Sequence, residues 1–203
     1  MATAVLILGE SGTGKSASLR NFEPDEVGII NVSGKPLPFR KKLPMVNTDD
    51  YGKIKAMLAK SKAKSIVIDD SQYLMVNAYM RQADIKGYDK FTTMAQNHWS
   101  LVNFVEKELP DDVIVYFLSH IDRDVNGNER AKTVGKMIDS AVTFEGMFSI
   151  VLKTKVADGK YSFTTHNSGF DTVKSPIGMF EDDEIPNDLK MVDITIRNYY
   201  KED

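Results

Sequence analysis

The sequence predicts an α/β protein whose central β-sheet is mainly parallel and carries helices on both faces. Three observations support this fold class. Short apolar runs alternate with stretches of helical periodicity through residues 1–120. The runs are apolar at almost every position, as expected of strands that are buried on both faces. The first run leads directly into a glycine-rich turn and then into a helical stretch, an order typical of parallel α/β folds.

Four apolar runs supply the predicted strands, and helical patterns lie between and after them. The strands cover residues 3–8, 27–32, 65–68 and 113–118; the helices cover residues 15–20, a stretch from residue 51, and residues 72–81, 91–109 and 187–200. Pro24 follows the first helix and Pro110 follows the fourth. Thr48 precedes the second helix, with Asp49 and Asp50 expected in its first turn.

The predicted helix over residues 91–109 is amphipathic. Its apolar stripe comprises Ala95, Trp99, Val102, Val105 and Leu109. We therefore expect these side chains, including the single tryptophan, to face the core.

The last third of the chain has a different pattern. Residues 149–156 and 160–165 flank Asp158-Gly159, a dipeptide typical of tight turns, which predicts a C-terminal antiparallel hairpin. Residues 33–46 are predicted to be an excursion and residues 167–184 a loop. Because no internal repeat or linker is present, we expect a single domain over residues 1–203.

Composition indicates a soluble globular protein. Of the 203 residues, 42% are hydrophobic and 27% are charged, and no apolar stretch is long enough to span a membrane. The absence of cysteine excludes disulfides and thiolate metal sites and favours a cytoplasmic location. The net charge of −3 gives no global attraction for nucleic acids, so such binding would require a local basic patch.

A phosphate-binding loop is the most specific motif in the chain. The segment Gly9-Glu10-Ser11-Gly12-Thr13-Gly14-Lys15-Ser16 matches the pattern G-x-x-x-x-G-K-S. Its glycines let backbone N–H groups turn around an anion, and a helix from about Gly14 would add its positive end. Lys15 can reach the outer phosphates and Ser16 can ligate Mg²⁺. The motif predicts ATP and Mg²⁺ as ligands; the alternative is a glycine-rich turn before a helix.

Two acids end the third predicted strand. Asp69 is the expected second Mg²⁺ ligand, acting through water; a strand that simply ends in a turn acid is the alternative. Asp70 can polarise a water for attack on the terminal phosphate, or it can cap the helix that begins near Ser71. At the end of the fourth strand, His120 is either a sensor of the terminal phosphate or an ordinary surface histidine.

These segments together resemble a known family. Residues 9–16, 66–70 and 117–122 are similar to the short RecA-core ATPases of bacteriophages, the phage nucleotide-binding AAA family that includes ATP-dependent single-strand annealing proteins. The similarity continues through residues 135–139, 144–148, 171–176 and 185–189, and so covers nearly the whole chain.

The resemblance implies a RecA-like P-loop core in which the strand ending at His120 lies between the phosphate-loop strand and the Asp69 strand. It also implies ATP-modulated binding of single-stranded DNA, annealing of complementary strands in recombination, and a location in the host cell cytoplasm. Homo-oligomers on DNA and a single-strand-binding protein are the implied partners. The larger recombinases carry a glutamate after the second strand, where this chain has Asn31-Val32-Ser33-Gly34. Hydrolysis is therefore expected to be slow or to depend on Asp70.

Two basic segments are candidates for DNA contact. Residues 122–136 follow the fourth strand and carry Arg123, Arg130, Lys132 and Lys136; the resemblance places DNA there, and a solvated loop is the alternative. Residues 35–42 include Phe39, Arg40 and Lys41, in which an aromatic ring that can stack on a base lies among cations. A charged surface excursion would look the same.

Three lysines near the C-terminal hairpin have two interpretations. Lys153 and Lys155 are two residues apart on a strand and so point to the same side. The resemblance suggests that they, or Lys174, reach the ATP of a neighbouring subunit in trans. Otherwise they are solvent-facing lysines on a sheet.

Two other classes of function remain open at this point. A small-molecule P-loop kinase would need a mobile lid with clustered arginines, and the chain shows no such insertion. A nucleotide-gated binding module that scarcely hydrolyses ATP is compatible with the missing acid after the second strand.

Overall fold

The computed structural model describes residues 1–134 and 143–201, and its strands form one large sheet and one small hairpin. The strands are β1 (Thr3–Leu8), β2 (Val27–Asn31), β3 (Met45–Asn47), β4 (Ser65–Asp69), β5 (Ile114–Ser119), β6 (Ile121–Arg123), β7 (Glu129–Ala131), β8 (Ile150–Ala157), β9 (Lys160–Thr164) and β10 (Glu184–Pro186). Eight of them form a sheet in the order β10-β9-β8-β1-β5-β4-β2-β3, and β6 pairs with β7.

The large sheet is parallel except at one edge. From β8 to β3 every neighbouring pair is parallel, whereas β9 and β10 are antiparallel additions. The mainly parallel α/β sheet and the C-terminal hairpin of β8 and β9 are thus confirmed. The strand order β1-β5-β4, which only the family resemblance implied, is also observed.

Helices cover both faces of this sheet. They are α1 (Tyr51–Lys60), α2 (Tyr73–Arg81), α3 (Asp89–Glu108) and α4 (Leu189–Tyr199), with 3₁₀ helices at Ser16–Asn21 and Phe144–Met147. Alternate residues of β1 enter two separate cores: Leu6 packs with residues of α1, α2 and α3, and Ile7 packs with residues of α4 and the first 3₁₀ helix. Both faces of the strand are therefore buried, which explains its continuous apolarity.

Local side-chain contacts set the start of two helices. The Asp50 carboxylate accepts a hydrogen bond from the backbone N–H of Lys53, so Asp50 is the N-cap of α1 rather than a residue of its first turn. Asp188 caps α4 in the same way, accepting from the N–H groups of Lys190 and Met191.

The helix after the phosphate loop is wound more tightly than predicted and begins one residue later. Residues 16–21 form a single 3₁₀ segment of six residues instead of an α-helix over residues 15–20. The Ser18 hydroxyl donates to the carbonyl of Lys15 at 2.6 Å, a local bond that competes with regular helix geometry. The predicted helix type is therefore wrong, although one α-type bond remains, from the Ser18 N–H to the Gly14 carbonyl at 2.9 Å.

The prediction that Trp99 faces the core is wrong. Its side chain is 46% exposed, and the buried stripe of α3 comprises Met94, His98, Leu101, Val102 and Val105. His98 takes the inward position because its Nδ1 lies 3.0 Å from the hydroxyl of Tyr51 and is satisfied there. Burial lowers the pKa of His98 to about 4, so the ring is neutral at neutral pH.

The segment after β5 is more ordered than a loop. β6 and β7 pair antiparallel, from Ile121 with Ala131 to Arg123 with Glu129, at the start of what the sequence predicts to be a loop. In the described part of the chain, no helix has the length and apolarity needed to cross a membrane.

Candidate functional site

Three parallel strands bring their carboxyl ends to one edge of the sheet. The register places Leu8 of β1 beside Ser119 of β5, and β4 lies on the other side of β5. The N–H of Gly9 donates to the carbonyl of Ser119 at 3.2 Å, which fixes the start of the phosphate loop against β5. The predicted loop, the Asp69 strand and His120 therefore converge at this edge.

The loop of residues 9–16 has the backbone geometry of an anion nest. Gly12 and Gly14 have φ angles of 79° and 97°, in the left-handed region that glycine adopts without strain. Within residues 1–134 and 143–201, the backbone N–H groups of Gly12, Gly14, Lys15 and Ser16 donate to no protein acceptor. Backbone N–H groups that have no protein acceptor and flank left-handed glycines form a concave surface suited to phosphate oxygens.

Gly9 is required by the packing of the loop on β8. A Cβ at this position would lie 1.8 Å from the Thr154 hydroxyl oxygen and 2.7 Å from that of Thr13. These two hydroxyls are 2.6 Å apart and hold the loop against the sheet. The sequence does not predict this contact of Thr154, because a threonine between two lysines on a strand matches no motif.

Lys15 lies buried across the loop. Its amine donates to the carbonyls of Gly9 and Glu10, both at 2.8 Å. Burial lowers the pKa of Lys15 to about 8, and the nearby carboxylates of Asp70, Asp69 and Glu10 counteract this effect. The amine is thus held by weak neutral acceptors next to the nest, from which it can turn toward a phosphate.

The Ser16 hydroxyl donates to the Asp69 carboxylate at 2.8 Å across 53 residues of sequence. Asp69 is buried, and this burial raises its pKa to about 6. A hydroxyl and a carboxylate in contact are the small protein contribution that Mg²⁺ typically uses, together with water and phosphate oxygens. No group of three or more His, Asp or Glu side chains that could hold a metal ion occurs among the described residues.

Asp70 has a strained backbone and polar neighbours. Its φ of 59° is in the left-handed region, which is unusual for a residue other than glycine and is common at functional sites. His120 Nε2 lies 3.5 Å from one carboxylate oxygen. Although burial opposes it, hydrogen bonds from His120 and Ser33 lower the pKa of Asp70 below its usual value. The N-cap of α2 is Gln72 and no side chain caps that helix, so the capping role for Asp70 is wrong.

The excursion of residues 33–46 reaches this site at one end only. Lys35 Nζ lies 3.8 Å from Asp70 and 5.3 Å from the ring centroid of Tyr73. Phe39 is half-buried against the core, and Lys41 pairs with Glu23 at 2.8 Å. Arg40 is exposed. These contacts favour a structural role for Phe39 and Lys41 and give Arg40 no partner side chain among the described residues.

The β6–β7 hairpin contacts the phosphate loop. Arg123 lies 2.9 Å from the Glu10 carboxylate and 2.9 Å from that of Glu129. Lys132 donates its backbone N–H to the carbonyl of His120 at 2.8 Å. Arg130 lies on β7, opposite Asp122. Lys136, the fourth predicted cation, lies outside the described residues. The contact between Arg123 and Glu10 was not predicted, since nothing in the local pattern pairs them.

The three lysines proposed to act in trans have different surroundings. Lys153 is half-buried between Glu129 and Asp171, at 2.7 and 2.8 Å. Lys155 pairs with Glu184 at 2.6 Å on the exposed side of β8. Lys174 forms a two-bond backbone bridge with Val151 beside the sheet. Lys153 therefore connects the hairpin of β6 and β7 to the segment before Lys174 within one chain.

Comparison with known proteins gives no independent guide to this site. The chain matches no protein-family model and no curated protein.

Proposed function

We propose that this chain is an ATPase of the RecA-like P-loop class that binds Mg²⁺–ATP at the loop of residues 9–16, hydrolyses it slowly, and couples it to binding and annealing of single-stranded DNA. The observation that carries the proposal is the 2.8 Å hydrogen bond between Ser16 and Asp69. It joins the two separate parts of a Mg²⁺–nucleotide site that the sequence predicts from unrelated motifs.

The loop supplies the groups that bind the phosphates. The N–H groups of Gly12, Gly14, Lys15 and Ser16 are available as donors to phosphate oxygens. The Lys15 amine adds a positive charge. Ser16 and Asp69 would hold Mg²⁺, which when bound neutralises charge on the outer phosphates. Because the Lys15 amine now rests on two carbonyls, phosphate binding exchanges weak neutral acceptors for a charged one.

Asp70 is the group we assign to water activation. Its lowered pKa keeps it ionised at neutral pH. A carboxylate oxygen can therefore accept a hydrogen bond from the attacking water and act as a general base. His120, 3.5 Å away, holds the carboxylate and is the proposed sensor of the terminal phosphate. A carboxylate with a low pKa is a weak base, which agrees with slow turnover.

We assign the β6–β7 hairpin to single-stranded DNA. The predicted cations Arg123 and Arg130 lie on it, and Lys132 directly follows it. Arg123 forms an ion pair with Glu10 of the phosphate loop. The Lys132 N–H donates to the carbonyl of His120. A change at the loop or at His120 would therefore be transmitted to the hairpin. Phosphate contacts made there would be salt-dependent.

The resemblance to the phage nucleotide-binding family extends the proposal to assembly. Homo-oligomers on DNA and a single-strand-binding protein would be the partners, with the host cytoplasm as the location. Of the three lysines proposed to act in trans, Lys155 is the most exposed, and its one ion pair lies on the surface, where such pairs are weak.

The test is ATP turnover with and without single-stranded DNA, measured together with annealing of two complementary labelled strands. Lys15→Ala should abolish turnover and its stimulation by DNA, because the site loses its charge for the phosphates. Lys64→Ala is the matched control, since Lys64 pairs with Asp112 at the opposite end of β4. This variant should behave as the wild type.

Other outcomes separate the competing functions. ATP binding without turnover would favour a nucleotide-gated binding module. Phosphoryl transfer to a nucleoside or metabolite with no DNA effect would favour a kinase. Turnover that survives Lys15→Ala would contradict the proposed site.

A further inference from the structure

The groups described so far are assigned to the phosphates and to Mg²⁺, and none of them is assigned to the nucleoside. Two further side chains, which the sections above do not assign, lie against Gly14. A Cβ at Gly14 would lie 3.0 Å from Tyr161 Cδ1 and 3.1 and 3.2 Å from the Oδ1 and Nδ2 atoms of Asn187. The loop therefore has an aromatic ring and an amide packed directly against it, 147 and 173 positions later in the numbering.

Tyr161 presents an exposed ring beside the loop. It lies on β9, at the end of the β8–β9 hairpin that is level with the carboxyl ends of the parallel strands, and its side chain is 50% exposed. One edge of the ring contacts Gly14 while much of the rest is open to solvent. Because the ribose spans only a few bonds between phosphate and base, a base attached to phosphates in the loop is within reach of this ring.

Asn187 carries a buried donor without a partner. The residue is 1% exposed, and its Nδ2 has no hydrogen-bond partner among the described residues. A buried donor without an acceptor destabilises the folded protein. Its backbone is fixed by the bond from its N–H to the Tyr161 carbonyl at 3.3 Å. An unsatisfied amide in a fixed position beside a ligand loop is expected where a ligand supplies the missing acceptor.

Arg20 determines which way the amide points. Its Nη1 donates to Asn187 Oδ1 at 3.4 Å and to the Ala17 carbonyl at 3.0 Å. A guanidinium only donates, so the amide oxygen is the atom that Arg20 engages. Both amide atoms lie beside Gly14, and Nδ2 is left as the donor without a partner next to the phosphate loop.

We propose that Tyr161 and Asn187, with Arg20 as a positioning residue, form the subsite for the nucleoside half of the bound nucleotide. Tyr161 stacks on the base, and Asn187 Nδ2 donates to an acceptor on the base or ribose. This inference rests on the proposed function, since it needs phosphates in the loop. The proposal assigns recognition of the nucleoside to the β8–β9 hairpin and to the residue that precedes the N-cap of α4, rather than to the phosphate loop.

The experiment compares two probes by calorimetry: ATP, and inorganic tripolyphosphate, which has the phosphates without the nucleoside. Wild type should bind ATP at least about tenfold more tightly than tripolyphosphate, a ratio that lies within the range for base stacking. Tyr161→Ala should lose about tenfold in ATP affinity and keep its tripolyphosphate affinity within about twofold. Tyr161→Phe keeps the ring and should match the wild type for both probes.

Asn187→Ala tests the amide separately. It should lower ATP affinity about fivefold and keep the tripolyphosphate affinity within about twofold, because only the nucleoside would use the Nδ2 donor. The loss of the bond from Arg20 to Oδ1 acts on the melting temperature and not on this selectivity. A residue that serves packing alone would lower the melting temperature and leave the selectivity for ATP over tripolyphosphate unchanged.

The outcomes distinguish this inference from the function on which it rests. If wild type binds neither probe, the phosphate site itself is wrong and the subsite with it. If wild type binds both probes equally, or Tyr161→Ala and Asn187→Ala leave ATP affinity unchanged, the subsite is refuted while the phosphate site stands.

Discussion

Replacing Asp69 with asparagine should stabilise the protein in metal-free buffer. The carboxylate is buried, and this burial raises its pKa to about 6, against 3.8 for an ordinary aspartate. At pH 7 the folded protein therefore carries a charge that the fold disfavours by about 3 kcal/mol. Asparagine has nearly the same shape, and its Oδ1 can still accept from Ser16.

The expected gain follows from the pKa of Asp69, which already includes the opposing attraction of Lys15. We expect Asp69→Asn to raise the free energy of unfolding by about 2–3 kcal/mol at pH 7. Because the folded pKa is above the unfolded one, wild type regains this stability as the pH falls through 6 toward 4, and the two proteins should converge there.

The assay is urea unfolding in EDTA at several pH values between 4 and 7.5. Asp70→Asn is the matched control, one residue away, and its effect should have the opposite sign. The pKa of Asp70 is lowered on folding, so its charge stabilises the protein above pH 4, and asparagine tolerates the left-handed backbone. Equal stabilities of wild type and Asp69→Asn at pH 7, or a difference that does not shrink on acidification, would refute the reasoning.

Three further predictions concern the loop and the core. ATP affinity measured by calorimetry should fall as the pH rises above about 8, where free Lys15 loses its proton. Gly9→Ala should cost about 1–3 kcal/mol in urea unfolding because its Cβ meets the Thr154 hydroxyl, and adding Thr154→Ala should restore part of that loss. Trp99→Ala should change stability by less than about 1 kcal/mol, whereas Leu101→Ala should cost about 2–5 kcal/mol.

Each of these has a result that would contradict it. ATP affinity that is constant from pH 7 to pH 9.5 would mean that Lys15 keeps its proton or does not meet the phosphates. Equal losses for Gly9→Ala with and without Thr154→Ala would exclude the steric contact. A large loss on replacing Trp99 would place that ring in the core after all.

Much of the fold was predictable because its signals are local. Strands buried on both faces need continuous apolar runs, so four of the parallel strands stand out without an alignment. Short edge strands such as β3 and β10 have too few residues to show a pattern. The stripe of α3 was misjudged because the buried position of His98 depends on a hydroxyl from another helix.

The candidate site also has one part that the sequence predicts and another that only the structure shows. The phosphate loop is contiguous, and its residue types have few other uses, so residues 9–16 were identified from their order alone. The sequence identifies Asp69 and Asp70 as acids at a strand end, but their different surroundings, the burial of Asp69 and the left-handed backbone of Asp70, are seen only in the structure. No spacing rule distinguishes two adjacent aspartates.

The sequence by itself therefore determined the α/β class, the main strands and the loop suited to phosphates, because these depend on neighbouring residues and on periodicity. The tertiary structure alone decided that Ser16 meets Asp69, that Arg123 reaches Glu10, and that Asn187 lies against Gly14. Such contacts join residues far apart in the chain, and they follow from strand order and side-chain packing, which no local pattern encodes.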